Sequence, residues 1–321
     1  MTLRQLEYFV GSAELGTFSA AAQHLHVSQG AVSLAVADLE RALGVQLLVR
    51  RRPHAPVLTP AGRELLVRAR RVLTEANEFE SEAASSGADV VGTIVVGSFP
   101  TVTPYVMGRI LERLPARHPG LTVELVEDSV HGLQQRLRDG LCDVALMYDI
   151  GIENAISTTS LYQCSPHVVL AADHPLAGEP AIGLDQVIDQ PMILVDLPPS
   201  VEYFLGVLSR AGHTPDVRYR AGSIETIRSL VGRGMGWSML LQQPATEMSY
   251  DGGHVVHVPI RDIDERVDVL LARADATQPT ARVRAFADHC RETLARPLAP
   301  TQAHTPAGAA TASAGRVRSG R

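Results

Sequence analysis

The sequence predicts an α/β protein in which a small helix-turn-helix head and a long helix precede a larger domain of alternating strands and helices. Three observations predict it. Residues 28–44, SQGAVSLAVADLERALG, read as one helix with a shorter one just before it. From Pro60 an apolar stripe continues for about 25 residues, the mark of a long amphipathic helix. From Val90 onward, short Val, Ile and Leu runs alternate with amphipathic stretches.

Residues 1–15 form the first helix, with Leu3, Leu6, Phe9, Val10 and Ala13 on its apolar face and Arg4 off that face, placed to meet phosphate. Ser19 caps a second helix over residues 20–25, which breaks at His26 and Val27. Ser28 caps the third, because its hydroxyl accepts N–H groups left unpaired in a first turn, and Gly44 suits a left-handed stop. Val32, Val36, Leu39 and Leu43 share one stripe and pack on the first helix as a three-helix core. Ser28, Gln29 and Gly30 at the tip are candidate DNA contacts, as are Ser33 and Leu34, which face away from the core. Two helices joined by so short a turn form a helix-turn-helix, whose second helix enters the DNA major groove tip first. The Gln29 amide suits bidentate pairing with adenine, Ser33 follows one turn on, and Leu34 suits a thymine methyl.

Two apolar pieces, residues 45–49 and 57–58, flank a basic, proline-bearing tip and predict a β-hairpin wing. Its arginines, Arg50, Arg51 and Arg52, lie along the DNA backbone and neutralise phosphates; taken alone the run reads as a solvated basic loop. Thr59 caps the long helix and Pro60 takes its first position. Leu65, Leu66, Ala69, Val72, Leu73, Ala76, Phe79 and Ala83 form its stripe, which needs a partner, most simply the same helix of another subunit. Residues 85–87, Ser-Ser-Gly, form a flexible joint.

Beyond it, strands are expected at residues 91–97, 121–127, 143–147, 167–170, 192–195 and 237–240, with helices ending near Leu114 and over 132–139 and 202–210. Such alternation predicts a mainly parallel sheet with helices on its faces. Residues 266–273 and the helix at 280–294 return to the first of two such units. From Pro297 the Ala, Thr, Pro and Gly bias predicts a disordered tail, residues 297–321.

Charge supports a DNA-reading head. The net formal charge is -6, yet residues 1–72 hold nine arginines against five carboxylates, leaving 20 basic against 30 acidic residues in the rest. All 29 basic residues are arginine, which excludes Walker A loops and Schiff-base chemistry, both of which need a lysine amine. Cys142, Cys164 and Cys290 form no C-x-x-C pair and read as buried small hydrophobes in a reducing compartment, with a Cys142–Cys164 redox pair left open. No export signal or long apolar run is legible, so a cytoplasmic protein without membrane association is expected.

The opening LRQLEYFV, the segment FSAAAQHLHVSQGAVS, the LERALGVQLL after it and LTPAG at the linker start resemble LysR-type transcriptional regulators. ADHPLA at 172–177 and LVGRGMGWSMLL at 230–241 extend the resemblance through the C-terminal region. Gly30 stands where that family often has proline, Leu34 where a polar residue is common, and Leu48 where phenylalanine is usual. The resemblance implies a winged helix-turn-helix over 1–58, a linker and dimerisation helix over 59–87 and an effector-binding domain over 88–296. That domain is implied to be two-lobed and similar to periplasmic binding proteins, with lobe one at about 90–162 and 265–296 and lobe two at about 163–264. It further implies a homodimer or homotetramer on double-stranded DNA, with a small-molecule effector altering promoter binding.

Ser98, Phe99 and Thr101 leave a strand ahead of a helix, Ser200 does so in the other lobe, and Ser129 and Ser223 complete a ring of candidate effector contacts. Free N–H groups and hydroxyls there favour an anionic over a cationic effector, although each serine also suits simple capping. No cofactor, metal or catalytic residue is expected. Gly232-Arg233-Gly234-Met235-Gly236 has the wrong spacing for a dinucleotide loop and reads as a helix-ending turn. It faintly echoes winged-helix biotin ligases, the enzyme alternative, against which the absence of lysine counts. His254 and His257 lie in a Val-rich strand, and Asp262, Asp264, Glu265 and Asp268 form a solvated acidic turn.

Overall fold

The computed structural model describes residues 1–49, 56–84, 90–275 and 278–295. The arginine cluster at 50–52, the joint at 85–87 and the tail at 297–321 lie outside the described residues.

The head holds α1 (Leu3–Glu14), α2 (Phe18–His24) and α3 (Gln29–Leu43), then the two-residue strands β1 (Leu48–Val49) and β2 (Val57–Leu58), which pair antiparallel as the base of the wing. Thr17, not Ser19, caps α2, since its hydroxyl accepts from Ala20 N at 3.0 Å. Ser28 caps α3 through Ala31 N at 3.2 Å, and Gly44 ends it at φ 68°, a left-handed conformation costly for other residues. Val32, Val36 and Leu39 are fully buried, but Leu43 is exposed. On α1 the buried set is Leu6, Tyr8, Phe9 and Ser12, with Leu3 exposed; Ser12 satisfies its hydroxyl by donating to Tyr8 O at 2.6 Å.

The long helix α4 (Pro60–Ala84) starts where Thr59 accepts from Gly62 N at 2.8 Å and donates to Gln46 O at 2.7 Å. Gly62 explains the glycine of LTPAG: a Cβ there would meet Leu47 O at 2.1 Å, so α4 crosses the wing strand only with glycine at this point. Leu66 and Ala69 are buried in the head core and Leu73 packs against it, so these do not await a partner. Val72 and Phe79 stay exposed, Phe79 at 75%.

The larger domain begins with β3 (Gly92–Ser98), α5 (Thr103–Arg117), β4 (Leu121–Glu127), α6 (Val130–Arg138), β5 (Val144–Tyr148) and β6 (Ile156–Cys164). The chain then crosses to a second lobe of β7 (His167–Ala171), β8 (Met192–Val195), α7 (Ser200–Arg210), β9 (Val217–Ala221), α8 (Ile224–Gly232), β10 (Ser238–Leu240) and β11 (Val255–Pro259). It returns through β12 (Val267–Ala274) and closes with α9 (Ala281–Leu294), capped by Thr280. The first sheet has the order β4-β3-β5-β12-β6.

That sheet is mixed, not mainly parallel. β3 runs parallel to β4 and β5, but β12 enters antiparallel between β5 and β6, because it carries the chain back from the other lobe. The second lobe pairs β10-β7-β11 antiparallel and β8-β9 parallel. Buried residues of both lobes form one continuous core, including Trp237, Phe99, Met147 and Phe286.

Candidate nucleic-acid interface and effector cleft

At the head, the N-terminal tip of α3 presents Gln29 and Gly30 to solvent, with Ser33 half-buried one turn on and Leu34 exposed at 62%. Glu40, which sequence reasoning passed over, holds the wing to this helix: its Oε1 accepts from Leu47 N at 2.8 Å and Leu48 N at 3.0 Å. The exposed Arg4 donates through Nε to Tyr8 Oη at 2.8 Å and stacks 5.7 Å from that ring's centroid, which fixes its cation beside the head. Arg63 adds an exposed cation at the base of the wing, donating to Leu58 O at 3.1 Å.

Between the lobes lies a cleft bounded by Thr101, Tyr105 and Tyr148 from the first and by Ser200 and Gln242 from the second, over an apolar wall of Val195, Phe204, Ile224 and Leu240. It leaves room for about one water-sized molecule. Tyr148 Oη donates to Thr101 O at 3.3 Å, and Gln242 Nε2 donates to Tyr162 Oη at 2.9 Å. Burial pushes the Tyr148 phenol well above its usual range and that of Tyr105 up to about 12, so both are neutral donors at pH 7.

Of the six effector candidates the fold brings two together, Thr101 and Ser200. Ser98 is buried under the loop, accepting from Thr103 Oγ1 at 2.8 Å, and Phe99 is buried edge-on against Tyr148 at 6.0 Å. Ser129 and Ser223 are exposed caps of α6 and α8, accepting from Gly132 N and Thr226 N. Ser200 makes no cap; it is the first residue of α7, after Pro199. The loop is also short of unpaired donors: Phe99 N donates to Leu146 O, and Val102 N and Thr103 N both donate to Phe99 O. Tyr105, Tyr148 and Gln242 were missed because they come from the first turn of α5, a strand end and a strand exit, where residue type alone does not signal a ligand.

The other motifs resolve locally. The glycine run ends α8 and leads to β10. His257 Nδ1 meets His167 Nε2 at 2.9 Å across paired strands, whereas His254 is exposed. Glu265 pairs with Arg210, and Asp268 accepts from Ser160 Oγ at 2.7 Å. Cys142 precedes β5, whereas Cys164 ends β6 beyond the level of Tyr148, which puts them roughly 26 Å apart along the sheet. A disulfide needs Cα atoms within about 7 Å, so the pair cannot form in this fold.

An exposed α3 tip on a winged head, tied by one helix to a two-lobed α/β domain, defines a DNA reader with a small-molecule sensor. Comparison with known proteins agrees. Residues 3–63 match the bacterial regulatory helix-turn-helix proteins of the lysR family, and residues 87–295 match the LysR substrate binding domain. The chain therefore belongs to the LysR family of transcriptional regulators. It is 31% identical to the HTH-type transcriptional regulator YvbU of Bacillus subtilis over 91% of this chain and 98% of that one. It is 30% identical to a hydrogen peroxide-inducible genes activator of Pectobacterium carotovorum, covering 91% and 96%. The crystal structure of HinK, a LysR family transcriptional regulator from Pseudomonas aeruginosa, superposes with a TM-score of 0.62 at 34% identity, covering 91% and 98%. Among the described residues, no helix is long and apolar enough to cross a membrane.

Proposed function

We propose that this regulator reads paired DNA half-sites as a homodimer or homotetramer in the cytoplasm, and that a small, uncharged polar effector in the cleft alters its promoter binding. The observation that carries the DNA half is the tip of α3, where Gln29, Gly30 and Leu34 are exposed although the helix's opposite face is fully buried. The effector half rests on the cleft lining, whose polar groups are neutral hydroxyls and one amide without a formal charge. Thr101 and Ser200 are the effector contacts carried forward, with Tyr105, Tyr148 and Gln242 added. The intended units are the head over 1–58, the linker over 59–87 and the sensor over 88–296. The chain acts as a regulator and not as an enzyme, in keeping with its family.

One relative is named for induction by hydrogen peroxide. A thiol-based peroxide response is not supported here: burial pushes Cys142 up to about 11 and Cys164 up to about 12, and Cys290 is raised and fully buried. Peroxide oxidises the thiolate, which these sites suppress. The test is selection of bound duplexes from a random pool, followed by titration of the best site against scrambled DNA. Specific regulators of this size bind their site at least about 1,000-fold more tightly than non-specific DNA. Equal affinity for both would reject sequence-specific reading.

A further inference from the structure

Arg70 and Arg71 lie midway along α4, where the head and the sensor domain meet. Arg70 is held on two sides: Nε donates to Glu14 Oε1, at the end of α1, at 2.8 Å, and Nη1 donates to the carbonyl of Asp139 at 3.2 Å. Arg71 Nη2 donates to the carbonyl of Arg138 at 3.3 Å. Both carbonyls close the last turn of α6, where helix carbonyls lack intrahelical partners and the dipole favours cations. Beside these contacts an open crevice edged by Thr74, Gly92 and Asp143 lies between α4 and the first lobe.

The same short helix also holds the first-lobe loop between β5 and β6, which faces the second lobe. Gln134 Nε2 donates to Gly151 O at 3.0 Å, Glu153 N donates to Gln134 Oε1 at 2.7 Å, and Arg138 pairs with Glu153. Gly151 faces Pro199, the neighbour of the cleft residue Ser200. We propose that Arg70 and Arg71 form a releasable latch on the C-terminal end of α6, through which the position of the second lobe sets the orientation of the DNA-reading head. The link to an effector rests on the cleft reading above; the latch itself does not. A few charge-assisted hydrogen bonds are strong enough to hold one orientation and weak enough to release it.

The test is hydrogen–deuterium exchange on the full chain without any ligand, so failure of the cleft reading cannot affect it. Arg70→Gln with Arg71→Gln is expected to speed exchange at least about threefold over residues 138–142 and over 66–77 of α4, with α3 and β5 unchanged. Glu14→Gln, a partly exposed site that serves if the double variant fails to fold, speeds exchange about twofold over 66–77. Gln134→Ala touches neither α4 nor the head, yet is expected to speed exchange over 66–77 as well. Wild-type exchange at 66–77 in the folded Arg variant, or in Glu14→Gln should that variant not fold, overturns the latch. Faster exchange at 151–153 without any change at 66–77 in Gln134→Ala overturns its connection to the second lobe.

Discussion

Gln29 stands at the solvent-exposed start of α3, where an amide can meet an adenine edge with two hydrogen bonds. Gln29→Ala is expected to cost about 1 to 3 kcal/mol on the selected site and much less on random DNA, measured by fluorescence anisotropy. Equal loss on both would reduce it to a backbone contact. In the cleft, Thr101→Val keeps shape and deletes a hydroxyl, so it is expected to weaken the response to an effector and to leave effector-free DNA affinity intact. Loss of affinity without effector would make Thr101 a structural residue. The thiols predict a negative result: in native protein at pH 7, Cys290 resists iodoacetamide over hours, and mass spectrometry showing its rapid modification would contradict its burial. At this scale the sequence was most legible at chain punctuation. Ser28, Gly44 and Thr59 work through local backbone geometry, which their neighbours in sequence determine. Ser129 and Ser200 show the limit, since whether a serine faces a cleft depends on a lobe packed from distant residues.

Among the elements, the proposed function assigns the DNA affinity to the wing and its symmetry to α4. Replacing Arg50, Arg51 and Arg52 by Ala should lower the magnitude of the log K against log[salt] slope by about 2 to 3, because each guanidinium that meets a phosphate releases counterions. An unchanged slope would take the wing off the DNA. The subunit contact proposed for α4 then falls to the exposed Phe79 and Val72, not to Leu66 and Leu73, which the head already covers. Phe79→Glu should therefore shift sedimentation toward monomer and abolish tight binding to a two-half-site operator; an oligomer that binds normally would move the contact to the sensor domain. Periodicity located β4 and β8 to the residue and α3 to its ends. It missed β6, whose TTS center is too polar to read as a strand until β12 lies beside it. The mixed sheet was hidden for a related reason: direction within a sheet is set by the route of the chain between lobes, which alternation does not encode.

Across the whole molecule, a basic head on an acidic body matched the division between DNA reader and sensor, and the family resemblance extended over both parts. The half-buried His167–His257 pair gives the second lobe an acid-sensitive seam. Burial lowers the two rings to about 4 and about 3, below their ordinary 6.5, so the unfolded chain binds more protons as pH falls between these values. Stability is then full above pH 6.5 and lost on acidification, by up to roughly 1.4 kcal/mol per pH unit for each ring. Chemical denaturation from pH 7 to 4.5 should show this slope, reduced in His257→Gln; a flat profile would place the rings in water. Two copies of the head, placed by α4, are proposed to read DNA together, which footprinting of the full-length protein on its selected site checks. Two protected half-sites about 34 Å apart or a multiple of it are expected, both lost in Gln29→Ala. A single protected patch, or a footprint indifferent to that substitution, would contradict it.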